Sequence, residues 1–213
     1  MRFANRRHAG VLLADALRSF ADRSDVTVLA LPRGGVPVAR PVADALHAPL
    51  DVFVVRKLGA PAQEEFALGA IAEGGVQIRD SALMRDLGVS ASTMDDIAAR
   101  EQRELERRVQ AYRRGAPLTA VTGRVVILVD DGLATGATMT AAIAGVRALT
   151  PAQIVVAIPV GAPDACRRIA TSADKVVCLV CPADLVAIGY WYEDFSQTSN
   201  EEVIALLHTD SAE

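Results

Sequence analysis

The run Val125–Thr138, VVILVDDGLATGAT, brings together residue types that can hold a phosphorylated sugar. Five apolar residues make a strand suited to the middle of a buried parallel sheet. Asp130 and Asp131 fall at its carboxyl end. Ala134, Thr135, Gly136, Ala137 and Thr138 then lead into a helix, offering backbone N–H groups and two hydroxyls at the positive end of a helix dipole, a place for phosphate. Small side chains let the backbone close on the anion. Adjacent carboxylates repel phosphate but accept hydrogen bonds from sugar hydroxyls, so the whole describes a ribose 5-phosphate cradle. The run is neither a GxxxxGK[ST] loop nor a GxGxxG fingerprint.

The elements that must position this cradle follow a βαβ rhythm. Val26–Leu31 (VTVLAL) predicts a strand ending at Pro32-Arg33-Gly34-Gly35, with a helix over 36–47 and a second strand at 51–55. An amphipathic helix over 9–20 precedes them. Residues 56–123 are too many for a simple crossover and predict an insertion. In it, KLGAPAQEEFALGAIAEGG suggests a mobile stretch, Gln77–Arg79 a small strand pair, and Ser92–Arg114 a long polar helix capped by Ser92 or Thr93. After Arg124 the pattern resumes with strands at 125–130, 153–158 and 175–180 and helices near 138–149 and 162–172. The expected fold is α/β, a doubly wound, mainly parallel sheet in one domain over 1–213, with a small hood and helix at 182–213.

Composition agrees. Apolar residues at 51%, charged at 23% and aromatics at only 4% suit aliphatic helices packed on a sheet. The net charge of −4 argues against a nucleic-acid coat, and no apolar run approaches a membrane span. MRFANRRHAG has no apolar segment behind its basic residues, so a cytoplasmic protein is expected. Cys178 and Cys181 have CxxC spacing, but no second pair or nearby His supports a metal site. In a strand their sulfurs would point to opposite faces, and with Cys166 they read as small buried hydrophobes.

VVILVDDGLATGAT resembles the phosphoribosyl-diphosphate (PRPP) signature of type I phosphoribosyltransferases. The likeness runs along the chain. LPRGGVPVA is similar to the family's pyrophosphate loop, VVRK to the segment entering its flexible loop, and IGYWYEDF to its C-terminal hood. The resemblance implies that Asp130 and Asp131 hold the ribose 2′- and 3′-hydroxyls and that Ala134 to Thr138 wrap the 5′-phosphate. Arg33, Gly34 and Gly35 would meet the pyrophosphate in a loop that often holds a non-proline cis peptide. Arg33, Arg56 and Lys57 would stabilise the leaving group together with Mg²⁺, itself held mostly through PRPP and water, with Asp131 and Glu193 as its protein contacts. Tyr190, Trp191 and Val186 would stand near the nucleobase. Homodimers are common in the family, so a homodimer is among the expectations.

The implied activity is Mg²⁺-dependent transfer of the phosphoribosyl group to a nucleobase-like nitrogen. A regulator that binds PRPP or nucleotides without chemistry is the competing reading; Lys57 and Arg33 favour the enzyme, and no helix-turn-helix segment favours the regulator. Many purine-using members carry an acid where this chain has Ala134. Either the acceptor ionises easily, or another group takes its proton, with Glu64 and Glu65 the nearest candidates.

Overall fold

The computed structural model describes residues 2–61 and 63–209, and for 63–65 the backbone alone. Five strands form a parallel sheet: β1 (Val26–Ala30), β2 (Leu50–Val52), β6 (Val125–Val129), β7 (Gln153–Val160) and β8 (Lys175–Val180), in the order β2-β1-β6-β7-β8. β1 and β6 are buried at every residue, which is why they read as unbroken aliphatic runs. Alternate side chains enter different cores. Val125, Ile127 and Val129 pack with α1 (Arg6–Ala16) and α2 (Gly35–Leu46). Val126 and Leu128 pack with α5 (Ala137–Ala148).

The strand order places the site. The crossover from β1 through α2 runs outward to β2, while that from β6 through α5 runs the other way to β7. Winding therefore reverses between β1 and β6, and ligand crevices in such sheets open at the carboxyl ends beside that reversal. The loops that emerge there are 31–35 and 130–136.

The insertion departs from expectation. The stretch expected to be mobile forms an antiparallel sheet of β3 (Val55–Ala60), β4 (Gln63–Ala72) and β5 (Gln77–Arg79). Its glycines and alanines serve close packing: a Cβ on Gly69 of β4 would stand 2.3 Å from the Ile78 carbonyl oxygen, and Ala72 lies 2.8 Å from where a methyl on Gly145 of α5 would be. After the short α3 (Ser81–Asp86), the long helix α4 (Ala91–Arg113) is capped by Ser90, whose hydroxyl accepts from the Thr93 N–H at 3.1 Å, not by Ser92 or Thr93. The chain continues through α6 (Pro163–Ile169) and the hood to α7 (Asn200–Leu207). Cys181 lies beyond the end of β8 and is exposed, contrary to the buried reading.

Arg113, at the end of α4, ties the insertion to the sheet. Its Nε donates to Asp51 Oδ1 at 2.9 Å, and its Nη2 donates to the Val52 carbonyl at 2.6 Å and to Glu73 Oε2 at 2.9 Å. The Arg113 side chain is 5% exposed and those of Asp51 and Glu73 are 8% and 15% exposed. Removing the cation strands two acids away from water, so Arg113→Ala should cost about 3 to 5 kcal/mol of unfolding free energy in urea titration. A loss under about 1 kcal/mol, the worth of an exposed pair, would contradict this.

Candidate functional site

The acids at the end of β6 are deeply placed. Asp130 Oδ1 accepts from the Asp131 N–H at 2.9 Å. Burial, then the neighbouring charge of Asp131, pushes the Asp130 carboxyl well above the usual carboxylate range. Burial raises Asp131 too, against the opposing pull of Arg6. Arg6 is the first residue of α1, and its Nε donates to Asp131 Oδ2 at 2.8 Å, with 12% and 15% of the two side chains exposed.

Arg6 also reaches the hood. Its Nη1 donates to the Ser196 carbonyl at 2.7 Å, and its guanidinium lies 3.8 Å from the Phe195 ring centroid. Tyr192 completes the link: its hydroxyl donates to the Asp131 carbonyl at 2.6 Å, and its ring packs at a tilt with centroids 5.3 Å from Phe3 and 4.9 Å from Phe195. On the other side, the 31–35 loop presses in so closely that a Cβ on Gly34 would fall 2.0 Å from Asp131 Oδ2. Only glycine permits that approach. The Pro32–Arg33 peptide is cis, as the resemblance implied.

The 134–138 loop ends in an open helix terminus. Gly136 takes φ +76°, which glycine adopts without strain, and no side chain caps α5. Asn5, Ser90 and Ser199 cap α1, α4 and α7 by accepting backbone N–H groups, whereas α2, α5 and α6 begin without a side-chain cap, and α5 is the one of these that follows the acid pair at the end of β6. Arg168 of α6 braces the loop by donating from Nη2 to the Thr135 carbonyl at 2.9 Å.

Asp130, Asp131 and residues 132–139 line a cleft of about 210 Å³ with Lys57 and Ile188. A larger cavity of about 680 Å³ lies between the hairpin and α5 and shares Thr135 and Ala137 with it. Acids, an uncapped helix and a cation in one place mark the smaller space as the chemical one.

The residues named from sequence divide accordingly. Lys57 enters the cleft, whereas its neighbour Arg56 points the other way and donates from Nε to Glu101 Oε2 of α4 at 2.8 Å. The Arg33 side chain lies within electrostatic reach of Tyr112 and Glu201 and does not line the cleft. Val186 and Tyr190 are 81% and 69% exposed and stand outside it. Trp191 packs beside Phe3, Ala9 and Tyr192 in the hood's own core. Ile188 is the hood residue that lines the cleft: a methyl on Gly132 would come within 2.6 Å of its Cγ2. Glu193 is exposed and outside the cleft, anchored by its N–H on the Phe3 carbonyl at 2.8 Å. The side chains of Glu64 and Glu65 lie outside the described residues.

The sequence model of the phosphoribosyl transferase domain matches residues 4–194, a span holding both loops, the acid pair and the hood. The chain belongs to the phosphoribosyl transferase domain family. It is 47% identical over 214 residues to the proteins named "Putative phosphoribosyl transferase" in Mycobacterium tuberculosis strains CDC 1551 and H37Rv, covering 99% of this chain and 48% of theirs. The chain thus spans about half the length of these curated relatives. The crystal structure of TT1426 from Thermus thermophilus superposes with a TM-score of 0.83 at 47% identity, covering 97% of this chain and 98% of that one. That of AQ2163 from Aquifex aeolicus shares the fold at 13% identity, with a TM-score of 0.53 and coverage of 98% and 87%. No helix among the described residues is long and apolar enough to cross a membrane.

The buried acid pair makes a prediction that needs no ligand. Because the folded protein holds the Asp130 proton more tightly than the unfolded chain, its stability should fall as pH rises above about 4, through the window up to the raised native value. Asp130→Asn removes that dependence. The variant should melt higher than the parent at pH 8, and the gap should close toward pH 4 in calorimetric scans. A gap that widens on acidification would contradict the assignment.

Proposed function

We propose that this member of the family transfers the 5-phosphoribosyl group of PRPP to a nucleobase-like nitrogen, releasing pyrophosphate. One observation carries the reading: the acid pair, the uncapped start of α5 and Lys57 line a single cleft. The α5 amides would take the 5′-phosphate, and Asp130 and Asp131 the ribose hydroxyls. Lys57 would face the pyrophosphate as the C1–O bond breaks and the C1–N bond forms. With so little covalent work to do, the protein acts by positioning two fragments and stabilising the departing charge.

Two carboxylates make a hard oxygen pair suited to Mg²⁺, although no group of three or more metal-ligating side chains occurs among the described residues. Such an ion would be carried mostly by the diphosphate, with Asp131 as its protein contact, and would supply neutralisation of leaving-group charge. Glu193 stays outside the cleft and is not needed for this. Loop 31–35 offers backbone groups against the same acids, while its Arg33 side chain does not line the cleft.

Arg56 favours the second reading, a regulator that binds PRPP without turning it over. Its ion pair with Glu101 leaves Lys57 as the cation lining the cleft. Turnover separates the two: pyrophosphate released from PRPP and Mg²⁺ in a screen of free bases marks the enzyme, and PRPP binding with no release across the screen marks the regulator. In the enzyme, Lys57→Ala should lower kcat more than it raises KM for PRPP, because leaving-group charge grows toward the transition state. A change in KM alone would make Lys57 a binding residue.

Binding itself is tested by Asp130→Asn combined with Asp131→Asn. This double variant should weaken PRPP affinity in calorimetry by about 1 to 3 kcal/mol, the range for hydrogen bonds to charged groups. Unchanged affinity would remove the sugar from these acids.

A further inference from the structure

Arg6 touches the acid pair but is not among the residues that line the cleft. Its place is set by the chain around it. The Phe3 N–H donates to the Trp191 carbonyl and the Glu193 N–H to the Phe3 carbonyl, both at 2.8 Å, so the N-terminal segment runs beside the hood. Asn5 then accepts the His8 N–H at 2.9 Å and starts α1, which makes Arg6 its first residue. The guanidinium is held on three sides. Nε donates to Asp131 Oδ2 at 2.8 Å, Nη1 donates to the Ser196 carbonyl at 2.7 Å, and its plane lies against the Phe195 ring.

A carboxylate turns readily about its last side-chain torsion, so its neighbours decide which oxygen faces a ligand. At Asp131 they take Oδ2. Arg6 donates to that oxygen, and a Cβ on Gly34 would fall 2.0 Å from it and 3.2 Å from Arg6 Nε. The cation and the 31–35 loop therefore enclose Oδ2 together. At Asp130 the engaged oxygen is Oδ1, which accepts the Asp131 N–H at 2.9 Å and lies 3.3 Å from the Cβ position on Gly35. Each acid keeps one oxygen, Asp131 Oδ1 and Asp130 Oδ2, for the cleft that both line.

We propose that Arg6 is a positioning residue: it turns Asp131 so that Oδ1 faces the sugar, and thereby sets the preference of the cradle for a phosphate ester that carries ring hydroxyls. The match is one oxygen to one hydroxyl. An ester without the hydroxyls leaves those carboxylate oxygens without donors, and a site built to bond a hydroxyl rejects the analogue that lacks it. Without Arg6, nothing holds Oδ2 against Gly34, and the carboxylate is free to turn. The planar fork matters as well as the charge, because it grips Asp131 and the hood at once and so cannot swing with the carboxylate. This inference rests on the ribose 5-phosphate reading given above.

The test compares two ligands with the same phosphate and ring, ribose 5-phosphate and tetrahydrofurfuryl phosphate, which lacks the ring hydroxyls. Calorimetry on the full chain at 0.15 M salt, about physiological ionic strength, gives the ratio of their affinities. The parent should prefer ribose 5-phosphate by about tenfold or more, the worth of a hydrogen bond to a charged group. In Arg6→Ala the ratio should fall to about threefold or less. Loss of the cation's charge weakens both ligands alike and cancels in the ratio, as does general damage to the phosphate loop. Arg6→Lys keeps the charge and loses the fork, so its ratio should lie between the two; it carries the test if Arg6→Ala does not fold. The parent's ratio retained in either folded variant would overturn the positioning role and leave the sugar reading standing. A parent that binds both esters equally would overturn the sugar reading, and the role of Arg6 with it.

Discussion

The ion pair between Arg6 and Asp131 is the contact on which the rest of the site depends. Two adjacent carboxylates at the end of a buried strand are a costly arrangement, because burial disfavours each charge and each disfavours the other. A cation from α1 meets one of them. That cation also reaches the Ser196 carbonyl and stacks on Phe195, so the helix, the acid pair and the hood are held by one side chain. Tyr192 repeats the connection from the hood side through the Asp131 carbonyl. The approach of Gly34 to the same carboxylate brings in the 31–35 loop as well.

This explains why the hood is small and still defined. It owes its order to aromatic packing among Phe3, Tyr192 and Phe195 and to backbone pairing with the N-terminal segment, not to a strand of its own in the main sheet. The cleft below is then bounded by Ile188 against Gly132 and opens toward Lys57 on the hairpin. The hairpin is fixed by Arg113 at its base and by α5 at its flank, so the lysine is carried by an element anchored to both the sheet and the long helix.

Much of this was legible from residues alone, for identifiable reasons. β1 and β6 read as strands because a parallel strand covered on both faces is continuously aliphatic, and the cradle read as such because its signal is local. The period of two along a strand already separates Arg56 from Lys57, although which of them faces the cleft depends on the non-local packing of α4. Arg6 gave no local signal, since a cation 125 positions from its partner becomes visible only through the fold. The hairpin was hidden because Gly- and Ala-rich strands lack the β-branched alternation that marks a half-buried sheet. Choosing among Tyr190, Trp191 and Tyr192 required knowing which one points inward. The chain buries the last of them and leaves Tyr190 in solvent.

The central claim is that the acids and the bare helix start form one site for a phosphorylated ribose. The most direct measurement is a crystal structure of the protein soaked with ribose 5-phosphate. The account predicts phosphate density on the backbone amides of 135–138 and sugar hydroxyls on Asp130 and Asp131, with Arg6 still paired to Asp131. Ordered ribose 5-phosphate anywhere else, with the cleft holding only water, would contradict it.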